Sequence, residues 1–182
     1  MGLDQYLYAR KHISGYEFYG EKARAEFAAV KEAAGMSAVK ADGGIGVGLN
    51  GSVSLCVAYW RKANAIHGWF VREFARDGVD DCREMWIPRE GLVSLRHVCE
   101  ELLADRDPQK AAQLLPPTDG FFFGSYEIDD WYWGDLSHTV SQMNSVLNDW
   151  FSAGRKPAGL RIEAEETTAP LGDIDFYYQA SW

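Results

Sequence analysis

His67 is the side chain in this sequence best suited to moving a proton, because an imidazole changes charge near neutral pH. Asp80 and Asp81 follow closely enough to orient one of its ring nitrogens, the arrangement of a general base. No nucleophile or second histidine stands at a diagnostic spacing from it. His67 therefore reads first as a partly buried, hydrogen-bonded residue. His12, His97 and His138 sit in unrelated segments, and no metal-ligand spacing links them. Cys56, Cys82 and Cys99 are widely spaced and form neither a C-x-x-C pair nor a disulfide framework, so they read as reduced thiols. Gly46-Val-Gly-Leu-Asn-Gly51 matches G-x-G-x-x-G. A dinucleotide site needs that motif between a buried strand and a helix. Ser37 to Asp42 does not read as such a strand, so the glycines read as a flexible connection. No catalytic residue, cofactor or metal is expected from these signals.

Charge is the second source of chemistry. The 182-residue chain has a formal net charge of −9, which disfavours a general nucleic-acid coat. The charge is unevenly distributed, however. Arg61, Lys62, Arg72 and Arg76 cluster around the middle, whereas acids gather at 77–84, 127–135 and 163–175. On a helix running from Ser54 to Arg76, residues Arg61, Ala65, Gly68, Arg72 and Arg76 would form one stripe. Leu55, Tyr59, Ala63, Ile66, Phe70 and Phe74 would form the opposite, core-facing stripe. Small residues within the basic stripe would let a partner or DNA approach closely. Glu163, Glu165 and Glu166 are the complementary acidic candidates, able to occupy a cationic groove built for phosphate.

These elements must be positioned by a fold. Leu3 to Tyr8 alternates as a strand, and Glu21 to Ala34 reads as a peripheral, alanine-rich helix. A glycine-rich loop spans 35–53. Met85 to Ile87 is a short strand, Pro88 opens a helix, and Asp107-Pro108 opens a shorter one. Gly120 to Gly124 brackets an apolar run read as a buried strand. A long helix follows from Asp129 or Asp130, with Trp133, Leu136, Val140, Met143, Leu147 and Trp150 on one face. Leu160 to Ala164 and Ile174 to Trp182 read as strands. The expected class is α+β: three main helices on a small, mainly antiparallel sheet, in a single domain over 1–182. With no signal pattern and no bilayer-length apolar run, the expected location is cytoplasmic.

Several blocks carry a resemblance: Met1-Gly-Leu-Asp-Gln-Tyr-Leu-Tyr8, Tyr59 to Val71, Asp77 to Cys82, Leu114-Leu-Pro116, Gly120 to Ser125 and Asp175 to Trp182. As a set they resemble a family of small proteins from phages and mobile elements that includes a type II-A anti-CRISPR inhibitor of Cas9. The resemblance implies binding to the Cas9–guide RNA complex in a host bacterial cell and loss of target-DNA cleavage, with double-stranded DNA as a further contact. It supplies no catalytic residues. Competing classes are a small phage hydrolase or nuclease centred on His67 with Asp80 and Asp81, and an adaptor for another host protein. Exposed aromatic surface could also make a homodimer.

Overall fold

The computed structural model describes residues 2–38, 49–152 and 174–182. In chain order the strands and α-helices are β1 (Asp4–Ser14), α1 (Gly20–Ala33), β2 (Asn50–Arg61), α2 (Asn64–Phe74), β3 (Met85–Ile87), α3 (Arg89–Asp105), α4 (Pro108–Leu114), α5 (Asp130–Ser152) and β4 (Ile174–Ser181). The class is α+β, with a four-stranded antiparallel sheet in the order β2-β1-β4-β3. In the β3–β4 pair, Trp86 lies opposite Tyr177. Contacts divide the chain into two compact units: Met1–Ala9 with Cys56–Trp182, and Arg10–Leu55.

The smaller unit holds the far ends of β1 and β2 together with α1. Gly15 donates its N–H to the Leu49 carbonyl at 2.7 Å. A side chain at Gly15 would meet the Phe27 ring of α1 at 2.8 Å, so glycine permits that close approach. Lys11 forms an ion pair with Glu26 of α1. No residue of α1 is fully buried, as its alanine-rich sequence predicts.

The larger unit contains a core built on α2, α3 and α5. Leu92, Leu95, Cys99 and Leu102 of α3 pack in one cluster with Leu136, Met143 and Leu147 of α5 and Ile66 and Phe70 of α2. Burial pushes the Cys99 thiol up to about 12, as expected for an inert core sulfur. Asp107 starts α4 by accepting the Gln109 N–H at 2.9 Å, and Pro108 fills the first helical position.

Three expectations are corrected. A helix over 54–76 is wrong in its first half, because residues up to Arg61 belong to β2. Steps of four suit a helix, yet four is also an even number, so Leu55 and Tyr59 equally share one face of a strand. In the structure Ala58 and Trp60 point inward, and Leu55 and Tyr59 are exposed. The helical period begins only at Ala63. β1 likewise continues beyond Tyr8 to Ser14, and β2 begins within the glycine-rich 35–53 stretch. Finally, Gly120 to Gly124 is a loop between α4 and α5, not a strand: Phe121 is 77% exposed and only Phe123 is buried. The expected strand at 160–164 lies outside the described residues.

Gly68 faces inward, so it does not keep a surface low for a partner. A Cβ there would lie 1.8 Å from Thr118 Oγ1. Replacing Gly68 with Ala should lower stability by about 1–3 kcal/mol through overpacking, measured as a shift in denaturant midpoint at unchanged slope. The Thr118→Ala change in the same chain should recover part of that loss.

Candidate functional site

The most heavily constrained local feature is the junction between β2 and α2, and the loop from α4 to α5 that packs on it. β2 ends when Lys62 donates its N–H to the Leu3 carbonyl at 2.8 Å. Lys62 then adopts φ = 60°, a left-handed conformation uncommon for residues with a side chain. Asn64 follows at the first position of α2, and its side chain is buried. Its Nδ2 donates to the carbonyls of Phe123 (3.3 Å) and Ser125 (2.6 Å), while its Oδ1 accepts the Thr118 N–H at 3.2 Å. One amide group thus satisfies three backbone groups of a loop that makes no ladder of its own.

That tether shapes what the loop displays. Phe123 turns inward and meets the His67 ring edge-on at 5.1 Å. Phe122 is held at φ = 67°, and Gly124 at φ = 101°. A side chain at Gly124 would press on the Lys62 carbonyl at 3.3 Å. Phe121 and Phe122 pack on one another, 4.1 Å between centroids, and face solvent. Tyr126 donates its hydroxyl to the Gly120 carbonyl at 3.0 Å, yet its ring is exposed. Asp129 then starts α5 by accepting the N–H groups of Trp131 and Tyr132. That geometry leaves Trp131 82% exposed. A phenylalanine in left-handed backbone and four exposed rings are costly features that packing alone does not require.

Between the junction and this loop lies a cavity of about 410 Å³. Arg61 and Lys62 stand on one side and Glu127, Asp129 and Asp135 on the other, with Trp131 also in the lining. Tyr132, Leu136 and Ile66 supply apolar lining and are buried. Burial pushes the Asp135 carboxyl up from 3.8 to about 6; the Asp129 charge adds to this rise and His138 opposes it.

His67, the sequence candidate for acid–base chemistry, sits beneath Phe123 and is 1% exposed. Its Nδ1 lies 2.8 Å from the Tyr178 hydroxyl and its Nε2 lies 2.7 Å from Asp80 Oδ2. Gln5 fixes the proton order. Its Nε2 donates to the Ala63 carbonyl, so its Oε1 accepts the Tyr178 O–H at 3.0 Å. The Tyr178 oxygen is left free to accept from the ring at Nδ1. Burial, and then the Asp80 charge, raise the Tyr178 hydroxyl well above its ordinary value. Both ring nitrogens are engaged within the protein. Asp81 pairs instead with Arg83 at 3.0 Å.

The basic candidates do not form one stripe. Arg61 and Lys62 precede α2, whereas Arg72 and Arg76 lie at its far end, and Ala65 and Gly68 between them are buried. All four cations are exposed, and Arg61 approaches Asp4 at 3.9 Å. Glu163, Glu165 and Glu166 lie outside the described residues, as do Gly46 and Gly48. Asn64, Asp135 and the exposed loop aromatics carry no motif. The glycines at 120 and 124 were the available sign that this apolar run turns back on itself. Among the described residues, no cluster of three or more histidine, cysteine, aspartate or glutamate side chains could hold a metal, and no helix is long and apolar enough to cross a membrane. No protein-family model, curated protein or solved structure matches the chain.

Two outcomes follow from this geometry. Asn64→Ala should cost about 1–3 kcal/mol, the penalty of leaving buried polar groups unpaired. It should also speed hydrogen exchange at the amides of residues 118–125, whereas an effect spread evenly over the chain would contradict the tether. For Asp135, the folded value of about 6 exceeds the ordinary 3.8, so folding takes up a proton between them. The stability present below about pH 3.8 is lost as pH rises to about 6. Asp135→Asn should therefore raise stability by about 1–3 kcal/mol near neutral pH and change little in acid, read from melts across that range.

Proposed function

We propose that the protein is a binding module that acts by occupying its target, and that the target is the Cas9–guide RNA complex, whose cleavage of DNA it blocks. The observation that carries the binding reading is the loop between α4 and α5. It exposes Phe121, Phe122, Tyr126 and Trp131 among Asp119, Glu127, Asp129 and Asp130, and is held by three hydrogen bonds to Asn64. Aromatic rings on a preorganised loop are the usual anchors of an interface, because they bury much area at little entropic cost. The surrounding carboxylates suit a partner that is basic as well as apolar. An effector that holds nucleic acid by charge has such surfaces. The identity of the partner rests on the sequence blocks that resemble the phage family. Binding rather than turnover is favoured because His67 spends both nitrogens on Tyr178 and Asp80.

DNA contact is a second component of the proposal, carried by the exposed Arg61, Lys62, Arg72 and Arg76. Their separation into two pairs suits contact with phosphates at two places better than one continuous strip.

The test is a titration against a fixed amount of Cas9–guide RNA, with target cleavage as the readout. Cleavage should fall to background near one-to-one stoichiometry, and Phe121→Ser combined with Trp131→Ser should raise the amount needed by at least about tenfold, as loss of interface anchors does. Inactivation of an excess of the complex would move the assignment to an enzyme. Undiminished cleavage would remove this partner.

A further inference from the structure

The cavity beside α2 has a chemistry of its own. Its apolar part, from Ile66, Tyr132 and Leu136, suits a hydrocarbon chain, and Trp131 offers an exposed ring face. The charged groups facing Asp135 are Arg61 and Lys62 from the end of β2 and its junction, Glu127 and Asp129 from the loop, and His138 one turn along α5. Arg61 is drawn partly toward Asp4, and Asp129 uses one oxygen on the first turn of α5. His138 directs Nε2 to the Tyr59 carbonyl. With Asp135 itself counted, the lining holds three carboxylates against two cations, and the pocket is better suited to a cation than to an anion. A half-buried carboxylate lowers stability when ionised, and such groups recur where a ligand supplies the missing charge. Lys62 and Gly124, packed against one another in the lining, both have positive φ, so this part of the wall is held at a conformational cost at Lys62.

We propose that this cavity is a recognition pocket for a basic side chain of a protein partner, with Asp135 as the counter-charge, Trp131 stacking on the cationic head and Tyr132 and Leu136 packing on the alkyl stem. A guanidinium is the best match, since it forms paired hydrogen bonds to a carboxylate and stacks on an indole. The inference deepens the docking reading above by naming what the partner inserts, and it is tested without that partner.

The probe is Nα-acetyl-arginine methylamide, titrated into the full folded chain and followed by amide and indole NMR shifts. Saturable shifts are expected at Ala65, Ile66, Ser125 and the Trp131 indole. The uncharged citrulline analogue should bind at least about tenfold more weakly, because it lacks the paired charge. Lowering the pH from about 7.5 to about 5 should weaken arginine binding by about tenfold, as protonation removes most of the Asp135 charge. Asp135→Asn should abolish that pH dependence along with most of the affinity; it is expected to be the more stable variant, so unfolding does not mimic the result. Trp131→Ala should weaken binding with the pH dependence retained. Equal binding of citrulline, full affinity in Asp135→Asn, or no shift at these positions overturns the proposal. If the probe binds as expected while cleavage by Cas9–guide RNA is untouched, the pocket stands and only the choice of partner fails.

Discussion

The primary carboxamide of Asn64 is the constraint on which the displayed surface depends. A loop that crosses from α4 to α5 without pairing to a strand leaves its N–H and C=O groups needing partners. Asn64 supplies both kinds at once, two donated bonds and one accepted, from a buried position on the first turn of α2. Aspartate in that place would lack the donors, and leucine of similar size would lack both functions. Because α2 itself is anchored in the core through Ile66 and Phe70, the loop inherits the rigidity of the helix. Phe123 completes the attachment by packing against His67 and Trp182, which leaves the two preceding phenylalanines no inward route.

A second buried polar system joins distant parts of the larger unit. Gln5 of β1, Tyr178 of β4, His67 of α2 and Asp80 form one directional chain of hydrogen bonds that begins at the Ala63 carbonyl. A separate short chain runs from the Trp60 indole N–H to Thr139, which in turn donates to the Asp135 carbonyl. Such networks fix register because every member is satisfied in only one arrangement. Phe70 stacks on Tyr178 with centroids 4.0 Å apart, so the apolar and polar contacts specify the same placement of β4. The histidine that looks most like a catalyst in sequence has Tyr178 at one ring nitrogen and Asp80 at the other, and so also joins α2 to β4.

Much of the helical framework was legible because its signals are local. The α3 positions Leu92, Leu95, Cys99 and Leu102 and the α5 positions Leu136, Met143 and Leu147 follow helical spacing and are buried. β3 and β4 were likewise readable from short aromatic and β-branched runs. β2 was not, because steps of four cannot separate a helix from a strand, and the hydrogen bonds to β1 that decide between them are long-range. The loop at 120–124 misled for another reason. Three consecutive phenylalanines resemble a core strand, and only the tertiary bonds to Asn64 determine which of them is buried. The candidate pocket was illegible altogether, since Arg61, Ser125 and Asp135 meet only after β2, α2 and α5 are assembled.

Several costs in the larger unit fall at the β2–α2 junction and the loop that packs on it. Lys62 and Phe122 occupy left-handed backbone, Phe121 and Trp131 face water, and Asp135 keeps a carboxylate where burial opposes its charge. Left-handed backbone also occurs at Asp77, Cys82 and Arg106, the last of which closes α3, so strain alone does not single out this place. What distinguishes this place is that Lys62 and Gly124, both with positive φ, the exposed Trp131 and the half-buried Asp135 line one cavity together. Two of these departures have the sign that binding would reverse: exposed rings would be covered, and the carboxylate would gain a counter-ion. A basic, apolar partner relieves both at once, whereas DNA would meet the same carboxylates with like charge. The acidic aromatic loop and the two pairs of cations are therefore suited to different ligands, and of the two surfaces the loop is the better match to the protein partner proposed above.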